Sequence, residues 1–383
     1  EFGRKCGVKV DSMMISDVPG LTWGVVPALA HHGVKYISDG PNYMDRIGWA
    51  RVTWEDKPFY WVSPSGKEKA LYWAPYMGYA FGHTVNTLPM AVEKLLKHLD
   101  ETKYPYDMVQ LRWSKGDNGS ADERVMDQVR EWNAKYAWPK LVIATTSEMF
   151  HEFEKRYGKD LPEFRGDFTP YWEDGVGSSA YETGLNRHSA DRLVQAQALW
   201  AMLKPPEKYP AAEFAAAWKN VALYSEHTWG AFNSVSAPDK QFVKDQWKIK
   251  QAFALDADAQ SKKLLDAALA DRGARVANAI DVFNTRSESD MSSLIVVPKE
   301  LSLAGDCVRG ADEVVLQSQR LTTGELVFHI CLRALSPRRF HISGDKPADS
   351  FASEYKPARA EGNTLANSSM RLRLDEKTGA IAS

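Results

Sequence analysis

Two aspartates fall just past apolar runs that read as strands. Asp17 follows "SMMIS" and leads into a Pro-Gly turn, and Asp117 follows "MVQLRWSK" inside Gly-Asp-Asn-Gly. In parallel α/β sheets, ligands bind at the carboxyl ends of the strands, so acids at these places can work on a ligand. Turn and capping chemistry also explains them, because short acidic side chains bond nearby backbone at turns. A third residue, His227, lies in "ALYSEHTWGAFNS" (222–234), a polar and aromatic interruption between helical stretches, with Trp229 close behind it. Neutral imidazole is the commonest metal ligand, while the plain reading is a surface loop histidine. In "DFTPYWEDGVGSSAYETG" (167–184), Trp172, Glu173 and Asp174 stand at the mouth of a helix. An indole there offers a flat face for a sugar ring or a packing surface between domains.

The elements that must position these residues follow from periodicity. Up to about residue 165, short apolar runs alternate with helical stretches: "VKVDSMMIS", "VKYIS", "YDMVQLRWS" and "KLVIAT" read as strands, and 52–73 as an aromatic hairpin. Between them come a short helix ending at Gly33 and one capped by Thr87 with Pro89 in its first turn. A third opens on a capping box Ser120-Ala-Asp-Glu123, and a fourth runs from Ser147 to Gly158. Strands separated by such helices predict a largely parallel, barrel-like sheet with helices outside it. From about 178 the spacing is purely helical, as in Leu193, Ala196, Trp200 and Leu203, and in 239–270 Ile249, Phe253, Gln260 and Leu264 share a predicted face. Three helices of this kind predict a small bundle. Beyond 276, "AIDVFN", "SLIVVP", "EVVLQSQRL", "LVFHICL", "RRFHIS" and "MRLRLD" predict the start of an antiparallel sandwich. The expected division is an N-terminally incomplete α/β catalytic domain over 1–172, a three-helix domain over 173–272 and an incomplete β-sandwich over 273–383.

Composition excludes some classes. A formal charge of −2 gives no electrostatic footprint for nucleic acid or an anionic membrane. No apolar run approaches the roughly 20 residues that cross a bilayer. Cys6, Cys307 and Cys331 are odd in number and widely spaced, which gives neither a disulfide framework nor a metal-finger spacing. Thirteen tryptophans and 15 tyrosines supply core area and sugar-stacking faces.

The segments "MMISDVPGLTWGVVPALAHHGVKYISDGPN", "LRWSKGDNG", "PKLVIATTSEMFHEFEKRYG", "RGDFTPYWEDGVGSSAYETGLNRHSADRL" and "VALYSEHTWGA" occur in register with glycoside hydrolase family 38, the α-mannosidase family. The chain resembles that family throughout, and its bacterial members most. The resemblance implies a zinc-dependent, retaining glycosidase acting on α-linked sugars of polysaccharides or glycans. Asp17, in Asp17-Val-Pro-Gly20, matches the nucleophile and zinc ligand; His227 matches the late zinc ligand. Asp117 matches the acid/base, which some members carry one place later, where this chain has Asn118. Trp172 matches an aromatic that stacks on the sugar, and Asp174 and Trp229 are expected at the substrate. Where the family has an aspartate that touches sugar hydroxyls this chain has Thr228, which leaves the sugar open. The family's His-x-Asp zinc pair has no match before Asp17, so the remaining zinc ligands are expected upstream of residue 1.

Two other readings stay open: a metal-dependent polysaccharide deacetylase with Asp17 as base, and a non-catalytic carbohydrate-binding protein. The expected partner is a carbohydrate, with no nucleic acid and no membrane. A homo-oligomer stays open, and a periplasmic or secreted location would suit a bacterial polysaccharide-degrading enzyme.

Overall fold

The computed structural model describes residues 2–17, 21–41, 53–85, 87–114, 116, 119–167, 179–226, 233–234, 236–270, 276–288, 291–348 and 358–382. By contacts the chain divides into two compact units, Glu1–Ala180 and Tyr181–Glu226 with Ala231–Ser383.

The first unit is built on a five-stranded sheet in the order β1-β2-β4-β3-β5, with β1 Ser12–Ser16, β2 Tyr36–Gly40, β3 Phe59–Val62, β4 Lys69–Trp73 and β5 Glu163–Phe164. β1 with β2, β2 with β4 and β3 with β5 are parallel, and the hairpin pair β3 and β4 is antiparallel. Because strand side chains alternate between faces, the sheet fills two cores. Ile37, Phe59, Trp61, Ala70 and Tyr72 pack with Val26 of helix α2 (Val25–His31). Tyr36, Leu71 and Trp73 pack with Phe150 and Phe153 of helix α6 (Thr146–Tyr157). Glu154 of α6 accepts from the Tyr36 hydroxyl at 2.6 Å and the Tyr60 hydroxyl at 2.7 Å, binding β2 and β3 to the helix. The remaining helices of this unit are α1 (Phe2–Lys5), α3 (Phe81–Thr84), α4 (Leu88–Thr102) and α5 (Val125–Lys135).

Several local expectations hold for physical reasons. Thr87 caps α4 through the amide of Met90, with proline in the first turn. α6 ends at Gly158, and Gly33 after α2 has φ +77°, which glycine adopts without steric cost. Others are corrected. Among the described residues the sheet is open at β1 and β5, and no closed barrel forms. "YDMVQLRWS" and "KLVIAT" pair with no strand among the described residues; Val142 is 80% and Ile143 59% exposed. An apolar run announces a strand only if a partner offers its ladder. The box at Ser120 is also absent: α5 begins after Arg124 with no side-chain cap, and Asp122 instead accepts from Trp113, the Arg124 amide and Gln128.

In the second unit α7 (Ala180–Leu203), α8 (Ala211–Tyr224) and α9 (Gln241–Leu269) share a core of Leu193, Ala196, Phe214, Ala217, Val221, Ala257 and Leu264. The buried stripe of α9 runs through Lys250, Ala254, Ala257, Ser261, Leu264 and Ala268. Of the predicted face Leu264 lies on it, Phe253 and Gln260 are half-buried beside it, and Ile249 is 63% exposed. Small residues carry that stripe, and a pattern weighted to large apolar side chains misses it. Beyond α9 two antiparallel sheets enclose one core of Val297, Val308, Leu326, Phe328, Ile330, Leu332, Phe340 and Ile342. One sheet is β10-β11-β7, with β7 Met291–Val297, β10 Ser318–Arg320 and β11 Leu326–Leu332. The other is β6-β12-β8-β9, with β6 Ala279–Asn284, β8 Cys307–Gly310, β9 Val315–Leu316 and β12 Ser336–Ser343. A third, β13-β14-β15, spans Arg359–Glu361, Thr364–Ala366 and Arg371–Arg373.

Candidate active site

Asp17 stands at the carboxyl end of β1, where the strand-end rule places ligand chemistry. Its backbone is left-handed, φ 69°, a conformation aspartate tolerates better than most residues. Its amide donates to the Gly40 carbonyl at 2.9 Å, continuing the β1–β2 ladder one step past the last strand pair, Ser16 with Gly40. Asp17 is therefore fixed by backbone, at a bend directly after the strand.

Beneath that bend lies a buried polar group that periodicity did not disclose. Asp39, 1% exposed, accepts from the Tyr72 hydroxyl at 2.7 Å. Burial pushes its carboxyl up to about 6, against the opposing pull of the Tyr72 hydrogen bond and the Arg112 charge. The Arg112 guanidinium spans two strand ends. Nη1 donates to the Ile15 carbonyl at 2.7 Å and to Ser16 Oγ at 3.0 Å; Nη2 donates to the Ser38 carbonyl at 2.5 Å and Ser38 Oγ at 2.7 Å. Ser38 Oγ in turn donates to Gln110 Oε1. Asp39 Oδ1, Gln110 Nε2 and Arg112 Nε have no hydrogen-bond partner among the described residues. Such buried orphans are costly in an apolar core and are commonly satisfied by ordered water. The signal available in sequence was "SDG" closing the apolar run "VKYIS", where polar side chains extend a buried strand.

Two glycines make room for this arrangement. A Cβ on Gly40 would lie 2.1 Å from Arg112 Nη1, and one on Gly82 would lie 2.5 Å from the Ser114 amide nitrogen. The segment 112–114 therefore lies directly against the strand end and against α3. Trp113 Nε1 donates to Asp122 Oδ2 at 3.0 Å, which ties the segment before Asp117 to the one after it.

Of the predicted site residues, Asp17 is the one described. Asp117, Trp172, Asp174, His227, Thr228 and Trp229 lie outside the described residues, as do Asn118 and Glu173. Zinc takes three or four ligands, and the described residues include Asp17 alone of the expected set. Among the described residues no three His, Cys, Asp or Glu side chains come together to hold a metal. His227, the other expected ligand in the chain, lies outside the described residues, and no chemical step is routed through a zinc ion.

An acid–histidine–serine cluster lies at the opposite end of β1. Asp11 accepts from Ser147 Oγ at 2.7 Å, and His151 Nε2 is 2.9 Å from its other oxygen. The serine bonds the acid and not the imidazole, so the order needed to activate a nucleophile is missing. The cluster binds α6 to β1.

Residues 2–172 match the family described as "Glycosyl hydrolases family 38 N-terminal domain". None of the curated proteins matches the chain. Among solved structures, the crystal structure of an alpha-mannosidase from Enterococcus faecalis V583 is similar with a TM-score of 0.56 and 13% identity, a likeness of fold alone. The match covers 99% of this chain and 49% of that one, so the chain spans about half the length of that structure. Residues 2–172 are thus similar to the N-terminal domain of glycoside hydrolase family 38.

Proposed function

We propose that the chain is part of a retaining glycoside hydrolase, α-mannosidase-like, that removes α-linked sugars from glycans or polysaccharides. The observation that carries this reading is Asp17, backbone-fixed past the carboxyl end of β1 inside the region matched to the family. In a retaining reaction one carboxylate attacks the anomeric carbon while a second carboxyl protonates the departing glycosidic oxygen. The resulting glycosyl ester is then hydrolysed by a water that the second group, now a carboxylate, deprotonates. Asp17 takes the first role and Asp117 the second. Their carboxyl groups need to stand about 5–5.5 Å apart for retention. Trp172 is assigned as a stacking face for the sugar, with Asp174, Thr228 and Trp229 at its hydroxyls. Zinc dependence, with Asp17 and His227 among the ligands, belongs to the same proposal, as does the division at 172 and 272 into catalytic, helical and β-sandwich domains.

The test is turnover of aryl α-mannosides and related α-glycosides by the protein and its Asp17→Ala variant, with metal analysis alongside. The expected result is loss of kcat by about a thousandfold or more at an unchanged melting temperature, since a nucleophile carries the chemical step. Unaltered turnover in the variant removes the nucleophile role. Release of acetate instead of sugar would identify a deacetylase, and saccharide binding that survives chelation without hydrolysis would identify a binding protein.

A further inference from the structure

The sheet β13-β14-β15 has two unlike faces, and closed turns fix its register. Gly362 takes φ 55° between β13 and β14, where Glu361 stands opposite Thr364. Between β14 and β15, Asn367 Oδ1 accepts from the Ser369 and Met370 amides, and Ala366 stands opposite Arg371. Residues directly opposite one another share a side of the sheet, and side chains alternate along each strand. One face is therefore Ala360, Leu365 and Leu372; the other carries Arg359, Glu361, Thr364, Ala366, Arg371 and Arg373.

On the second face Arg359, Ala366 and Arg371 form one row across the three strands. With neighbouring strands about 4.8 Å apart, the two arginine backbones stand about 10 Å from each other, with a single methyl group between them. The row is thus a slot bordered by two guanidinium groups. Both arginines are exposed, and neither side chain has a hydrogen bond or ion pair among the described residues. By contrast Arg286, Arg309, Arg320, Arg338 and Arg339 of the same unit each pair with a carboxylate. Like charges held in one row repel, and an anion between them relieves that repulsion.

We infer that the Arg359–Ala366–Arg371 row binds the carboxylate of an acidic polysaccharide. A planar guanidinium matches a carboxylate with two parallel hydrogen bonds, which a lysine ammonium cannot do. Glu361 lies on the same face two residues from Arg359, so a densely charged phosphate or sulfate polymer is opposed there. With Thr364 it offers partners for sugar hydroxyls, which suits a glycan bearing one charge per ring. The choice of a glycan rests on the glycosidase reading above; the anion slot itself does not.

The test is calorimetric titration of the protein with oligogalacturonate at about 0.15 M salt, where long-range attraction between exposed charges is largely screened. Arg371→Gln removes one fork, and Ala366→Phe fills the slot while keeping both charges. Each is expected to weaken binding about tenfold or more, the scale of one charge-assisted hydrogen-bonded pair. Lys377→Gln removes a positive charge outside the row and should change affinity by less than about twofold, as for an isolated surface charge. If Arg371→Gln disturbs the sheet by circular dichroism, Arg359→Gln at the opposite edge carries the same test.

No binding by the wild type, or full binding by Ala366→Phe, would overturn the inference. So would equal losses in Lys377→Gln and Arg371→Gln, or single-stranded DNA bound as tightly as oligogalacturonate, because both are what net charge alone gives. Turnover of α-mannosides without oligogalacturonate binding refutes this inference and leaves the glycosidase reading intact. Binding without turnover does the reverse.

Discussion

Asp56 is 3% exposed and left-handed at φ 50°, and one of its oxygens accepts from Trp73 Nε1 at 3.1 Å. The other lies 3.7 Å from His98 Nε2. Burial pushes its carboxyl up to about 7 from an ordinary 3.8, with the Trp73 hydrogen bond opposing. Between those values the folded protein keeps a proton that the unfolded chain has released, so this group's contribution to stability falls as pH rises through the window. His98, lowered by burial from 6.5, acts in the opposite sense, because the folded protein releases its proton first. Asp56→Asn keeps an acceptor for Trp73 and removes the carboxyl titration. Its stability should match the wild type near pH 4 and exceed it at pH 8 by on the order of 1–2 kcal/mol. Denaturant melts across that range would show it, and parallel pH curves for the two proteins would remove the assignment. At this scale the sequence disclosed Asp17, because an acid after an apolar run is a visible pattern. It hid Asp39, Asp56 and Arg112, because a polar residue inside a buried strand or an irregular segment has no periodic signature and gains its meaning from partners distant in sequence.

The helix α6 shows what local chemistry does decide. Thr145 Oγ1 accepts from the Glu148 amide at 3.2 Å, and the Glu148 carboxylate returns to the Thr145 amide at 2.8 Å, a reciprocal cap directly before the apolar positions Phe150 and Phe153. Because α6 covers one face of the sheet, loosening its start affects the core it closes. Thr145→Ala should lower the melting temperature by about 2–4 °C without altering the sheet. A circular-dichroism melt indistinguishable from wild type would count against the cap. Helices were legible because their starts and stops are written in single residues such as Thr87, Pro89 and Gly158. Strands were legible where the turn joins them to a partner, as in β3 and β4, or where alternation is strict, as in Leu326–Leu332. The runs at 106–114 and 140–145 carried the same apolar signal with no ladder among the described residues, because strand pairing is decided by what lies alongside.

Across the whole molecule, apolar cores form separately within each unit: sheet-and-helix cores in the first, a helical core and a two-sheet core in the second. No helix of the described residues is long and apolar enough to cross a membrane. With 15 tyrosines in the chain, the fate of their protons matters at high pH. The two phenols that Glu154 accepts from are raised well above the usual tyrosine value of 10.0, first by burial and then by that carboxylate; Tyr72 and Tyr104 are raised by burial as well. Unfolding frees all four to ionise at ordinary strength, so base pulls the equilibrium toward the unfolded chain as pH climbs past about 10. Phenolate absorbance followed during an alkaline titration should therefore rise in two stages, the second coinciding with loss of far-ultraviolet ellipticity. A single smooth rise completed while the secondary structure persists would show that these hydroxyls are open to hydroxide in the native state. Burial of these phenols, reinforced for two of them by the bond that ties two strands to one glutamate, thus sets the fold against alkali.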